Sequence, residues 1–184
     1  MRSAPDDMRA DAQRPMNEPM EDAPIALERF LPYRLNVLAS VVSNALARIY
    51  AERFGITIPQ WRIVATLGQF ETRTARDIAA HAVMHKSTVS RAVAALAERG
   101  LVERRPNPGD MREELLVLTQ AGREIYEAVA PEALAFERAV VSGLTPEEHA
   151  TLFRLIDKLD AHTRALAPDL DVAEAATNAS EAAR

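Results

Sequence analysis

Between about residue 25 and residue 165, apolar positions recur mostly at spacings of three and four, the period of helices that bury one face. In the first such segment Leu31, Leu35, Leu38, Val42, Ala45 and Ile49 form a heptad-like seam, opened by Phe30-Leu31-Pro32 and ended by Gly55. Pro32 suits the first helical position, where its missing N–H is no loss. The seam asks for a partner helix, either one of this chain's own C-terminal helices or the same helix in a second copy. Thr57-Ile58-Pro59-Gln60 is a capping box that starts a second helix, with Trp61, Val64, Ala65 and Leu67 on its buried side. Thr74-Ala75-Arg76-Asp77 caps a short helix running through Ile78 to about Ala82. After a turn at Val83 and Met84, a longer helix begins with Lys86-Ser87-Thr88-Val89-Ser90-Arg91 and stops at Gly100.

Beyond Gly100 the period drops to two. LVERR and ELLVLT flank the turn formers Pro106, Pro108 and Gly109, which predicts a two-stranded hairpin. Thr119 then caps a long helix to Gly143, expected to bend or break near Pro131, where a backbone donor is missing. Thr145-Pro146-Glu147-Glu148 opens a last helix with Leu152, Leu155, Ile156 and Leu159 on one face. The predicted fold class is mainly α with a small β-hairpin wing. Residues 1–24, with four prolines and mixed charge, and 168–184, without large apolar side chains beyond the first few positions, are expected to be a disordered arm and a flexible tail.

Composition narrows the chemistry. A chain of 184 residues, 48% apolar, supports one core. The absence of cysteine excludes disulfides, thiolate metal sites and thiol redox sensing. No run approaches the roughly 20 apolar residues of a membrane span, and the N-terminus has acids and prolines where a signal peptide needs an apolar stretch, so a cytoplasmic location is expected. The net charge of −5 argues against coating nucleic acid through a global basic field. Locally the sign reverses. From Thr74 to Arg112 seven basic residues face four acidic ones, a net +3 in a chain whose remainder carries −8.

That basic island contains a helix of unusual cross-section. At about 3.6 residues per turn, Val89, Ala92, Val93 and Leu96 share one side, while Ser87, Arg91, Ala94 and Glu98, flanked by Thr88, Ser90 and Ala95, share the other. A face this slim fits a major groove about 12 Å wide, whereas a bulky face does not. Arg91 is the candidate base reader, with Lys86, Ser87, Thr88 and Ser90 as phosphate or base contacts. An ordinary solvated helix face is the alternative. The hairpin tip adds Arg104, Arg105 and Arg112, residues favoured by narrow minor grooves, with Asp110 placed to orient the Arg112 guanidinium. Without that DNA role the tip is a solvated turn.

The run KSTVSRAVAALAERGLVERRPNPGDMREELLVLTQAGRE resembles the MarR family of transcriptional regulators, and FLPYRLN, PQWRIVATLG and LTPEE extend the resemblance over about residues 25–165. It implies a winged helix-turn-helix at 56–118 with N- and C-terminal dimerisation helices at 25–54 and 119–165, within a domain spanning 25–167. It also implies a homodimer on a pseudo-palindromic operator, usually a repressor released by a small ligand, with Arg112 entering the minor groove. Met111 stands where a second arginine is common. His85 stands where related sequences often have an acidic or hydroxyl cap, leaving Ser87 as a substitute. The FLPYRLN and PQWR segments are similar to regulators of aromatic-acid catabolism, which implies that Arg34 pairs with a carboxylate, Ser40 and Ser43 hydrogen-bond to it, and Trp61 stacks on a ring. A small aromatic carboxylate or its CoA thioester is the implied effector; Trp61 as plain core and Arg34 as a surface ion pair are the plainer readings. His81 and His85, four apart but split by the predicted turn and without a third ligand, do not make a metal site, and no cofactor or catalytic constellation is expected. An effector-independent architectural DNA-binding factor is the alternative function.

Overall fold

The computed structural model describes residues 25–166; the arm expected at 1–24 and the tail at 168–184 lie outside them. The chain divides into two units after Ala39. Among the described residues the first holds a 3-10 turn, Leu27–Arg29, and the start of helix α1, Leu31–Phe54. Pro32 is therefore the second helical residue rather than the first, a position equally free of the need for a donor. Leu31, Leu35 and Leu38 of the expected seam are exposed here.

In the second unit the end of α1 is followed by α2 (Ile58–Phe70), β1 (Thr72–Thr74), α3 (Ala75–Ala82), α4 (Lys86–Glu98), β2 (Val102–Pro106), β3 (Glu114–Leu118), α5 (Gln120–Val141) and α6 (Pro146–Leu166). The starts of α2 and α6 obey the capping boxes read from sequence, and the Thr74 cap read for α3 is a capping box as well. Gln60 accepts from the Thr57 N–H at 2.8 Å, Asp77 from Thr74 at 3.2 Å and Glu148 from Thr145 at 2.8 Å. Each satisfies a backbone donor that the first helical turn leaves without a partner.

Helix α2 is the centre of the unit, packing against α3, α4, α5 and β3. Ile63, Val64, Leu67, Ile78, Val89, Val93, Leu96, Leu116 and Val129 are fully buried around it. Ile49, the last residue of the seam, packs on this core, so the seam is split between an internal and an exposed role.

Two expectations are corrected. The hairpin is part of a three-stranded antiparallel sheet of order β1-β3-β2, with Val102 opposite Leu118 and Thr72 opposite Val117. Three residues carry no readable period, so β1 is invisible without its partner strand. Of the bend or break expected near Pro131, the break does not occur: helix α5 runs from Gln120 to Val141, two residues short of Gly143. Val129, completely buried two residues before the proline, holds this stretch of the helix on the core. Arg99 leaves the expected basic footprint for a structural task. Its guanidinium donates to the carbonyls of Phe54 at 2.6 Å and Gly55 at 3.1 Å, so the end of α4 caps the end of α1.

Candidate nucleic-acid interface

Helices α3 and α4 and the turn 83–85 make the helix-turn-helix. Val83 ends α3 in the left-handed region at φ 49°, a conformation normally left to glycine and costly for a β-branched residue. Met84, 5% exposed, anchors the turn from below, and its N–H reaches back to the Ala79 carbonyl at 2.9 Å. The strained residue is thus held by burial of its neighbour and by the closing of α3.

His85 itself caps α4, which settles the question of its cap in favour of the imidazole. Its Nδ1 accepts the Ser87 N–H at 3.2 Å and stands 2.7 Å from Ser87 Oγ. Removing this acceptor leaves a first-turn donor unsatisfied, so His85→Ala is expected to cost about 1 kcal/mol. That corresponds to a fall in Tm of about 2–4 °C. His85→Asn, which can accept the same bond, is expected to recover most of it. Thermal unfolding followed by circular dichroism measures both.

The rest of α4 divides as its periodicity predicts. Val89, Ala92, Val93 and Leu96 are buried, while Ser87, Ser90, Arg91, Ala94 and Glu98 are exposed and Thr88 and Ala95 lie between. Lys86, Arg91 and the Arg112 guanidinium form no ion pair among the described residues, so their charge is available to an anion. Arg104 and Arg105 are exposed but already paired, Arg104 with Glu114 at 2.7 Å and Arg105 with Glu103. Asp110 does not hold the Arg112 guanidinium. Its carboxylate accepts the Arg112 backbone N–H at 3.0 Å and its carbonyl accepts from Glu113 at 3.0 Å, so it shapes the wing turn and leaves the arginine head free. Met111, at 82% exposure, projects from the same tip.

A cavity of about 310 Å³ opens where the end of α1, α2 and α3 meet. Trp61 stacks on Tyr50 at 5.3 Å and faces Tyr126 at 6.5 Å, forming an aromatic wall. Burial raises the Tyr50 phenol above its ordinary pKa, an effect that the nearby Arg62 charge partly offsets. The phenol therefore stays a neutral donor. Ser43 and Trp61 line the cavity as expected; Ser40 does not. Arg34 belongs to the first unit, where it donates to the Glu28 carbonyl at 3.2 Å. Sequence reasoning missed Arg62, Gln69 and His81, all on the lining. Arg62 adjoins Trp61 in the chain, but only the placing of α1 and α3 shows that both face one space. His81 meets the Phe70 ring edge-on at 5.0 Å, so the two histidines serve different ends, one at the cavity and one as a cap. Among the described residues no three metal-binding side chains gather, and no helix is long and apolar enough to cross a membrane.

The family model described as the MarR family matches residues 54–113, the stretch from the end of α1 to the wing tip. The Bacillus subtilis HTH-type transcriptional regulator YwoH, itself uncharacterised, is 29% identical over 132 residues, covering 70% of this chain and 95% of that protein. Among solved structures, a MarR/EmrR family transcriptional regulator from Acinetobacter superimposes with a TM-score of 0.69 at 27% identity, over 76% of this chain and 98% of its own. NadR in complex with 4-hydroxyphenylacetate gives a TM-score of 0.61 at 25% identity, over 78% and 97%.

Proposed function

We propose, from the premise that this chain is a DNA-binding transcriptional regulator of the MarR family, that it acts as a homodimeric repressor released by a small aromatic carboxylate. The carrying observation is the aromatic-walled cavity. It touches α1 through Ser43, Leu46 and Tyr50 and the first helix of the DNA reader through His81 and Ala82, so an occupant bears on both at once. Its volume of about 310 Å³ suits a single-ring acid. A CoA thioester would have to leave most of its length outside. Arg62 supplies the charge for a carboxylate, His81 a ring nitrogen beside it, and Trp61 the ring face. The structurally similar NadR binds an acid of this class.

The dimer reading rests on unburied apolar surface. Leu31, Leu35 and Leu38 in the first unit, and Leu152, Phe153, Leu155, Ile156 and Leu159 on α6, are each exposed in a single chain. Surface of this kind marks an interface. A second copy would cover it and would set two α4 helices for two half-sites about 34 Å apart. Sedimentation should give twice the 20.3 kDa of one chain.

Trp61 is the sole tryptophan, so its emission reports the cavity directly. Titration with benzoate and 4-hydroxyphenylacetate is expected to quench it saturably, and the quenching acid is expected to release operator DNA in a gel shift. Quenching without release would sink the repressor-release step. DNA binding indifferent to every acid and thioester tried would leave an effector-independent DNA-binding factor.

A further inference from the structure

A second hollow, about 240 Å³, lies at the root of the wing, bounded by the start of α3, the exposed side of α4 and strands β2 and β3. Three arginines line it, Arg76, Arg104 and Arg112, together with Ser90, Glu113 and Glu114. Arg76, exposed on the first turn of α3, meets Glu113 side-on, Nε to Oε1 at 3.3 Å and Nη2 to Oε2 at 3.4 Å. This is the forked geometry with which arginine also takes a phosphate, but both distances exceed the usual charge-assisted 2.7–2.9 Å or so. A long pair of this kind, whose arginine is largely solvated, is readily exchanged for another anion.

The position of the hollow indicates which anion. With α4 in a major groove and the wing in the adjoining minor groove, the strand dividing those grooves passes between the two elements. The hollow is lined from both of them, by Ser90 and Val93 of α4 and by Arg104 and Arg112 of the wing. We propose that it seats a backbone phosphate of the bound duplex, with Arg76 as the anchoring cation. Glu113 holds the guanidinium in line until DNA arrives, and Arg112, free of any carboxylate among the described residues, closes the seat from the wing. The proposal rests on the DNA-binding reading and adds to it a contact from the first helix of the motif.

The test uses the full chain and a mixed-sequence duplex of about 30 base pairs, long enough for two half-sites. Fluorescence anisotropy is measured between about 50 and 200 mM salt for wild type, Arg76→Gln and Glu113→Gln. A phosphate seat makes Arg76→Gln weaker and lowers the slope of log affinity against log salt by about one. Glu113→Gln removes the competing carboxylate, so it binds at least as tightly as wild type. If Arg76 serves only to tether the wing through Glu113, both variants lose affinity alike and the proposal is overturned. An unchanged slope for Arg76→Gln overturns it too, while the DNA-binding reading stands. Wild type without salt-dependent binding removes that reading and the seat with it. At constant ionic strength, replacing chloride by inorganic phosphate should weaken DNA binding by wild type more than by Arg76→Gln, as a competitor for the seat does; an equal effect on both would overturn the assignment.

Discussion

Gly122→Ala is expected to destabilise the protein by about 3 kcal/mol or more, because the added methyl has no space and its obstacle is backbone. A Cβ at Gly122 would stand 2.0 Å from the Leu101 carbonyl oxygen and 3.2 Å from Leu118 Cδ2. That oxygen also accepts the Thr119 N–H at 3.1 Å, so it cannot withdraw without breaking the junction between the strands and α5. The sign runs against helix propensity, since alanine within a helix is otherwise favoured over glycine by about 1 kcal/mol. Steric exclusion exceeds that gain several-fold. Gly143→Ala is the matching control. Nothing stands within 4 Å of a Cβ there and its φ is not in the left-handed region, so the change should stay within about 0.5 kcal/mol of wild type. Urea unfolding of the two variants decides the matter. A Gly122→Ala protein as stable as Gly143→Ala would mean that the approach of α5 to Leu101 is looser than 2.0 Å implies.

Arg91→Ala is expected to erase discrimination between operator and mixed-sequence DNA, by about 1–3 kcal/mol, or roughly five- to 150-fold. The arginine is exposed on the slim side of α4 and unpaired among the described residues, so no existing bond restrains its head from a base edge. Its loss should barely disturb folding, because the helix is anchored on its other side by Val89, Ala92, Val93 and Leu96. Arg112→Ala should behave differently. It weakens binding to all sequences alike and lowers the salt slope by about one, as a contact from the wing to the backbone or minor groove does. Equal loss on operator and mixed DNA for Arg91→Ala would assign that residue to phosphate and leave base reading to the neighbouring Ser87, Thr88 and Ser90.

The interface was legible in the sequence to different depths. Periodicity separated the buried and exposed sides of α4 residue by residue, because a regular helix converts spacing into direction. It could not tell which exposed cations were free. Arg99, Arg104 and Arg105 counted equally with Arg91 in the basic island, yet Arg99 caps α1, Arg104 is paired across the wing with Glu114 and Arg105 along its own strand with Glu103. Asp110 shows the same limit on a smaller scale. Two residues before Arg112 it was within reach of either the guanidinium or the backbone, and the tight turn selects the backbone N–H. His85 is the converse case, a residue outside the usual set of helix caps that caps through a ring nitrogen.

What the sequence by itself determined is whatever depends on neighbours within about one turn of helix or one hairpin: the caps at Thr57, Thr74, Thr119 and Thr145, the sidedness of α4, and the change of period at the wing. The tertiary structure decided everything that requires residues far apart in the chain to share a space. It paired Thr72–Thr74 with β3, carried α5 past Pro131, joined Tyr50, Trp61 and His81 around one cavity and set Arg76 beside Glu113. The physical reason is that local hydrogen bonds and side-chain direction are properties of short segments, whereas cavities, strand partners and long-range ion pairs come into being only when the core has packed and brought separate segments together.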